Sequence, residues 1–426
     1  MIKLEKIIVS GKNELKGEIE VQGAKNALLP ILAACVVAEG VSVIHNCPCL
    51  TDVEAAVKIL QHIGCKVNRM NSDLYVDSAS LSCYNIPHNL MREMRSSIVF
   101  LGALLSRLKK ARMTSPGGCE IGLRPIDLHL SSLEALGVTV EEKYGDIICS
   151  AENGIKPTVI SLSFPSVGAT ENIILACVKA KGRTVILNAA REPEIDDLVS
   201  FLNKCGAEIS VRKEGTIIID GKDDIYGTEY TVMSDRIVCL TYMCCTGAAG
   251  GDLLLKNACV NSFMSVIPVF EKAGCEVIKA ENTLRIISDG RLSAVKDIRT
   301  MPYPGFPTDA QAPVMAMLCA AKGTSVIVEN IFESRFKHVS ELIRMGAKIR
   351  TEGRVAIIEE TDCLHGASVT ATDLRGGAAL IVAGLAAKGK TEISGLWHID
   401  RGYEKITEHL KNAGADIERR EEVNVR

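Results

Sequence analysis
The chain is poor in aromatic residues. Phe, Trp and Tyr make up 4% of its 426 residues, with a single Trp. Its cores must therefore be built from the Ala, Val, Ile and Leu that dominate a hydrophobic fraction of 47%. No apolar run reaches the roughly 20 residues of a membrane span. The longest, ALLPILAACVVA from Ala27 to Ala38, contains Pro30. The opening MIKLEKIIVSGKNELKG lacks the apolar segment of a secretory signal. Neither GxGxxG nor a Walker loop occurs, which removes the dinucleotide and NTP-hydrolysis readings. The 16 cysteines include no CxxC pair, so a zinc ribbon or redox dithiol has no ligands. Many fall in apolar helical segments (Cys35, Cys177, Cys244, Cys245, Cys319), where a free thiol is a small hydrophobe in a reducing cytoplasm. A net charge of −3 and a pI near 6.3 argue against nucleic acid as a partner. The expectation is a cytoplasmic protein, with no membrane and no nucleic acid among its partners.

What is present is a repeat. Six short amphipathic helices run into a Gly and then an alternating strand: Gly64 (HIGCKV), Gly137 (ALGVTV), Gly206 (KCGAEI), Gly274 (KAGCEV), Gly346 (RMGAKI) and Gly414 (NAGADI). They lie about 70 residues apart, beyond the roughly 20–50 residues of solenoid repeats, so each unit is long enough for a small βα module. An earlier helix and a β-branched strand precede each, as in Asn172–Lys181 then GRTVILN. Two groups of three modules predict two similar α/β domains. The repeat phase places the crossovers near Gln22 and Val232, giving residues 22–232 as one domain and 1–21 plus 233–426 as the other. The opening strands, Ile2–Val9 and Glu18–Val21, are expected to pair with the final module.

Four constellations can carry chemistry. In SPGGCEIGLRPIDLH, Cys119 stands between glycines on a polar loop, near arginines and a helix start that lower a thiol pKa. Pro125 and Asp127 there are also accounted for by helix initiation. In QGAKNALLP, Lys25 and Asn26 lie at a helix N-terminus that favours an anion, although an exposed turn lysine explains them as simply. Arg95, Arg124, Arg335, Arg375 and Arg401 are loop arginines suited to bidentate grip on carboxylate or phosphate, or to surface pairing with the acids beside them. In PGFPTDAQAP, Asp309 precedes an apolar helix, either as a first-turn acid or as a proton acceptor.

GAKN, PGGCxIGxRPxDLH, SVGATEN, AAREPEI, FPTDxQA, ENIFESRFKHVSELxRMGA, TDLR and HIDRGYEKI occur in this order along the whole chain. In this it resembles the UDP-N-acetylglucosamine 1-carboxyvinyltransferase family of enolpyruvyl transferases. The resemblance implies two inside-out α/β-barrel-like domains, each of three βα repeats, joined at a double crossover. It implies transfer of enolpyruvyl from phosphoenolpyruvate to the 3′-hydroxyl of UDP-N-acetylglucosamine, early in peptidoglycan precursor synthesis, with no metal and no cofactor.

By the same resemblance, Lys25, Asn26, Arg124 and Arg401 hold the phosphate of phosphoenolpyruvate, and Arg335 and Arg375 face its carboxylate. Cys119 is the acid toward the vinyl carbon and the site of covalent adducts, including that of the epoxide phosphonate fosfomycin. Asp309 accepts the sugar hydroxyl proton. Arg95, Arg124, Pro125, Ile126, Asp127, Leu128, Ser166, Val167, Gly168, Asp309 and Ile331 contact the nucleotide sugar.

The chain departs from the family pattern at three places. Val238, Cys239 and Leu240 follow Ile237 where Glu, a small residue and Gly are usual. Thr51 stands where Lys is common, and Phe164 where some members carry Lys. Two other readings therefore stay open: a UDP-sugar-binding paralogue without turnover, and an enolpyruvyl transferase for another alcohol.

Overall fold
The computed structural model describes residues 4–114 and 126–422. All six repeat glycines have positive φ, at 107°, 81°, 106°, 100°, 93° and 99° in chain order. At each, the Gly N–H bonds the carbonyl three residues back and the next N–H reaches five back. Gly64 to Gln61 (3.2 Å) with Cys65 to Leu60 (2.9 Å), and Gly414 to Lys411 (3.0 Å) with Ala415 to Leu410 (2.9 Å), are two examples. This left-handed cap satisfies the last helical carbonyls and turns the chain into a strand. Its recurrence is the physical basis of the repeat.

Among the described residues, six four-stranded sheets follow one plan. In the third, Val159–Ser161 runs parallel to Gly182–Leu187, which pairs antiparallel with Thr216–Gly221, itself antiparallel to Glu208–Arg212. The helices leading into the second strand of each plan are α1 (Lys25–Val37), α2 (Phe100–Leu108), α3 (Val167–Cys177), α4 (Arg236–Ala249), α5 (Gln311–Leu318) and α6 (Leu374–Ala386). These helices are apolar on nearly every side: in α1 only Asn26 escapes burial. A helix without a polar face must lie in a core. Accordingly α1, α2 and α3 pack together, as do α4, α5 and α6, with sheets around them. The amphipathic helices, such as Thr51–His62 and Pro193–Lys204, bury one face only.

Two compact units result: a terminal unit of residues 4–22 and 234–422, and a middle unit of residues 23–114 and 126–233. Leu4–Ser10 pairs antiparallel with Lys390–Ser394 and Asp416–Glu422 of the final repeat. The second opening strand, Leu15–Glu20, does not join that sheet as expected. It runs parallel to Gly251–Lys256 of the fourth repeat. The strand preceding α4, Glu229–Thr231, instead pairs with Val41–His45 of the first repeat, leaving its place to Leu15–Glu20. The second opening strand thus fills a vacant parallel position.

A side-chain device recurs where strands end. Asn46, Asn188, Asn257 and Asn330 each donate Nδ2 to a carbonyl at the end of the neighbouring parallel strand: Val232 (3.0 Å), Leu162 (2.8 Å), Val21 (3.2 Å) and Thr300 (3.1 Å). The first three also adopt φ between 54° and 60°, a region Asn tolerates better than most residues.

Candidate active site
In the terminal unit the chain after cis-Pro304 enters a 3-10 turn, Thr308–Ala310, that runs directly into α5. Asp309 stands on this turn with its side chain 27% exposed. Two guanidiniums grip it. Arg335 donates Nη2 to Oδ1 (2.6 Å) and to the Thr308 carbonyl (3.3 Å). Arg375, in the first turn of α6, donates Nε (3.2 Å) and Nη2 (3.1 Å) to Oδ2. Both arginine side chains are almost wholly buried, 4% and 2% exposed. Asp373 caps α6 by accepting from the Arg375 and Gly376 N–H groups (3.1 and 2.9 Å), which sets where Arg375 begins.

Arg375 is anchored from behind as well. Its Nη1 donates to the Tyr403 hydroxyl (3.0 Å), and that hydroxyl lies 2.9 Å from Thr241 Oγ1. Thr241 in turn donates to the Ile237 carbonyl (2.8 Å). A guanidinium only donates, so Tyr403 must accept from it and pass its own proton toward Thr241. Burial opposes the charge on Arg375, but Tyr403, Asp309 and Asp235 more than offset it and keep the side chain cationic. Burial pushes the Tyr403 phenol up, with Arg375 in opposition. His338, fully buried near Arg335 and Asp373, is held neutral. Burial lowers its imidazole to about 4, against the pull of Asp373 and with the help of Arg335. Arg335 and Arg375 thus present two buried guanidiniums at one partly exposed carboxylate, an arrangement of fixed donors suited to holding an anionic group.

Ile331 lies on the loop that leads to Arg335, and its N–H bonds Glu329 Oε1 (2.8 Å). Arg401 ends a 3-10 helix, Leu396–Arg401, and is half-buried. The segment after it is clamped by Gln22, which donates Nε2 to the Gly402 carbonyl (3.2 Å) and accepts from the Glu404 N–H (2.8 Å).

In the middle unit Lys25 opens α1 and is buried, with Nζ 3.0 Å from Oδ2 of buried Asp52. Asn26 beside it is exposed. Asp127 opens the helix Asp127–Ala135 and is exposed between half-buried Ile126 and Leu128. Ser166 caps α3, accepting from the Ala169 N–H (3.4 Å), with Val167 and Gly168 half-buried after it. His129 and Asn172 bring these two segments together. A Cβ at Gly168 would stand 2.9 Å from His129 Cε1, and His129 Nδ1 lies 2.7 Å from Asn172 Nδ2. Asn172, fully buried, also donates to the Ile98 carbonyl (3.0 Å) and accepts from the Gly102 N–H (2.7 Å). On α3 the Glu171 carboxyl is pushed well above its usual range by burial, with Glu194 and Glu192 adding to the effect.

Arg95 begins the 3-10 turn Arg95–Val99, its side chain outside the described set. Cys119, Arg124 and Pro125 lie outside the described residues. Val238, Cys239 and Leu240 are buried on α4 inside the terminal unit's core. Thr51 opens the helix Thr51–His62, and Phe164 is 44% exposed. Sequence reasoning did not single out Tyr403, Thr241, Glu329, Asp52 or His129. Tyr403 and Glu329 nevertheless sit within HIDRGYEKI and ENIFESRF, two of the strings that carry the resemblance.

The family model described as EPSP synthase (3-phosphoshikimate 1-carboxyvinyltransferase) matches residues 9–410. A UDP-N-acetylglucosamine 1-carboxyvinyltransferase 2 of Caldanaerobacter subterraneus subsp. tengcongensis is 50% identical over 414 residues, covering 97% of this chain and 99% of that protein. A UDP-N-acetylglucosamine 1-carboxyvinyltransferase of Gluconobacter oxydans is 46% identical over 416 residues, covering 98% and 99%. Among solved structures, the enolpyruvyl transferase NikO from Streptomyces tendae superposes with a TM-score of 0.89 at 23% identity, covering 99% of this chain and all of that one. An EPSP synthase from Acinetobacter baumannii gives 0.75 at 19%, covering 98% and 100%. At such identities these two likenesses speak to the fold alone. The family match and the full-length identities go further: the chain belongs to the EPSP synthase family and, within it, to the UDP-N-acetylglucosamine 1-carboxyvinyltransferases.

Proposed function
We propose that the protein transfers the enolpyruvyl group of phosphoenolpyruvate to the 3′-hydroxyl of UDP-N-acetylglucosamine, releasing phosphate. The reading is carried by its 50% identity, end to end, to a transferase named for that reaction. The arginine pair around Asp309 supports it chemically.

The reaction is an addition followed by an elimination. In the addition, the sugar oxygen bonds the central carbon of phosphoenolpyruvate and Asp309 takes the hydroxyl proton. Cys119 delivers a proton to the methylene carbon, which becomes a methyl group. In the elimination a methyl proton returns to the Cys119 thiolate left by the addition, the carbon–oxygen bond to the phosphate breaks, the vinyl ether forms, and the departing phosphate carries off the proton that Asp309 took. Positive character at the central carbon is tolerated because cations hold both anionic groups of the substrate. Arg335 and Arg375 take the carboxylate, and Lys25, Asn26, Arg124 and Arg401 the phosphate. Each charge-assisted hydrogen bond contributes about 1.5–3 kcal/mol, so the clamp acts collectively.

The nucleotide sugar lies along Ile126–Leu128 and Ser166–Gly168, with Arg95, Arg124, Pro125 and Ile331 adding contacts. The place of the reaction is the cytoplasm, at the start of peptidoglycan precursor synthesis. No helix among the described residues is long and apolar enough to cross a membrane, which is compatible with that place.

Phosphate release from purified protein given phosphoenolpyruvate and UDP-N-acetylglucosamine, with the nucleotide product weighed by mass spectrometry, tests this. Product heavier by the enolpyruvyl group, and its loss in Asp309→Ala by about 10²-fold or more, is expected. UDP-sugar binding with no phosphate released would reject it in favour of a non-catalytic role. Cys119 should gain one adduct mass from an epoxide phosphonate, and Cys119→Ala should not.

A further inference from the structure
Beneath Asp309 lies a second carboxylate that the reaction scheme does not use. Glu329 follows the strand Ser325–Val328 and is 1% exposed. Four donors converge on it. Thr300 Oγ1 (2.9 Å), the Ile331 N–H (2.8 Å) and the Phe332 N–H (3.1 Å) reach Oε1, while Thr308 Oγ1 reaches Oε2 (2.9 Å). Among the described residues Thr308 is the one donor to Oε2. Thr300 also accepts from the Asn330 N–H (2.8 Å), so the first residues beyond two parallel strands, Ile298–Arg299 and Ser325–Val328, are tied together.

The repeat separates what the fold needs from what this place adds. The residue before the strand-end Asn is His45, Leu187, Lys256 or Glu329 in the four modules that share the device. The Asn performs the same bridge in all four. The preceding position needs no carboxylate. Leu187 is 38% exposed, and the side chains of His45 and Lys256 are 29% and 40% exposed. Glu329 alone of the four is buried and loaded with donors. Burying a carboxylate costs several kcal/mol unless its lone pairs are filled. Of the four groups that fill these, Thr300 follows the neighbouring strand, and the other three belong to the turn bearing Asp309 and the loop bearing Ile331 and Arg335.

We infer that Glu329 is a positioning residue for the transfer reaction, an inference that rests on the function proposed above. Through Thr308 it fixes the backbone of the proton acceptor Asp309, and through the Ile331 and Phe332 N–H groups it fixes the approach to Arg335. Thr308 is held from both sides, its hydroxyl on Glu329 and its carbonyl on Arg335. Misplacement of a reacting group by about 1 Å can cost on the order of 10²-fold in rate, so a hydroxyl that sets Asp309 shows in turnover before it shows in binding.

The test compares Thr308→Val, which removes the hydroxyl, with Thr308→Ser, which keeps it, and with Glu329→Gln. Steady-state kinetics of the full chain are read alongside thermal melting. Thr308→Val should lower kcat on the order of tenfold or more, with KM for UDP-N-acetylglucosamine within about twofold. Thr308→Ser should restore kcat to within a few-fold of about the native value. Glu329→Gln, facing the Ile331 and Thr308 arms with one acceptor fewer, should lower kcat and also raise KM for the nucleotide sugar. Were Thr308→Val and Thr308→Ser to melt earlier yet turn over like the native protein, Glu329 would be structural and the inference overturned alone. An inactive native protein would overturn the proposed function and this inference with it.

Discussion

At the residue scale the site is a set of charges whose directions are fixed by partners that do no chemistry themselves. Arg375 presents Nε and Nη2 to Asp309 because its remaining edge is committed to Tyr403. Tyr403→Phe removes an acceptor from a buried cation. The expected outcome is a loss in kcat/KM for phosphoenolpyruvate on the order of tenfold, with the fold retained by circular dichroism. The Val238 departure reads differently once placed. Its side chain is fully buried among apolar neighbours on α4, whereas the capping acid Asp235 and the relay residue Thr241 on either side are both present. That Asp309, Arg335 and Arg375 belong together was suggested by residue type and motif, and the structure brings these three into contact. Tyr403 and Glu329 were not legible in this way, because their importance comes from what they touch: Arg375 lies 28 residues from Tyr403, and the two threonines on Glu329 lie 21 and 29 residues away.

At the scale of elements, the left-handed glycine cap organises the chain, and its cost can be measured where space is free. Gly274 has φ +100° and a Cβ there would find its nearest atom at 3.7 Å. Gly274→Ala should therefore lower stability by only about 1–2 kcal/mol, the cost of left-handed backbone for an L-residue. Gly64→Ala adds a collision, since its Cβ would stand 2.6 Å from the Ser80 carbonyl oxygen. Denaturant unfolding should show the larger loss at Gly64. These helix ends could be read from sequence because the cap is local, needing a Gly and the apolar pattern before it. The burial of α1, α4 and α6 on almost every side was written in their composition too.

At the scale of the whole molecule, the middle unit is closed by strand Glu229–Thr231 returning to Val41–His45. His45 lies across this seam, with Nδ1 3.0 Å from Asp73 and Nε2 2.9 Å from Glu229. Asp73 first, then Glu229, raises the His45 pKa above its ordinary value, with burial opposing. A raised folded pKa means that the stabilisation is fully present below the ordinary histidine value of about 6.5 and fades as pH rises through the raised value. Melting temperature should thus fall between about pH 6 and pH 9 by more in the native protein than in His45→Gln. An equal fall in both would assign the pH dependence elsewhere.

The sequence by itself determined the modules. Six capped helices, their alternating strands and their all-apolar inner helices follow from interactions within a few residues of each other, and the strings that carry the family resemblance are contiguous in sequence too. Which strand fills which sheet was decided only in three dimensions. Leu15–Glu20 serves the fourth repeat, with Leu15 opposite Gly251, in the position left open where the strand leading into α4 pairs with the first repeat. The support under Asp309 is of the same kind. A buried carboxylate is stable only where donors from separate loops converge on it, and that convergence exists only in the folded chain.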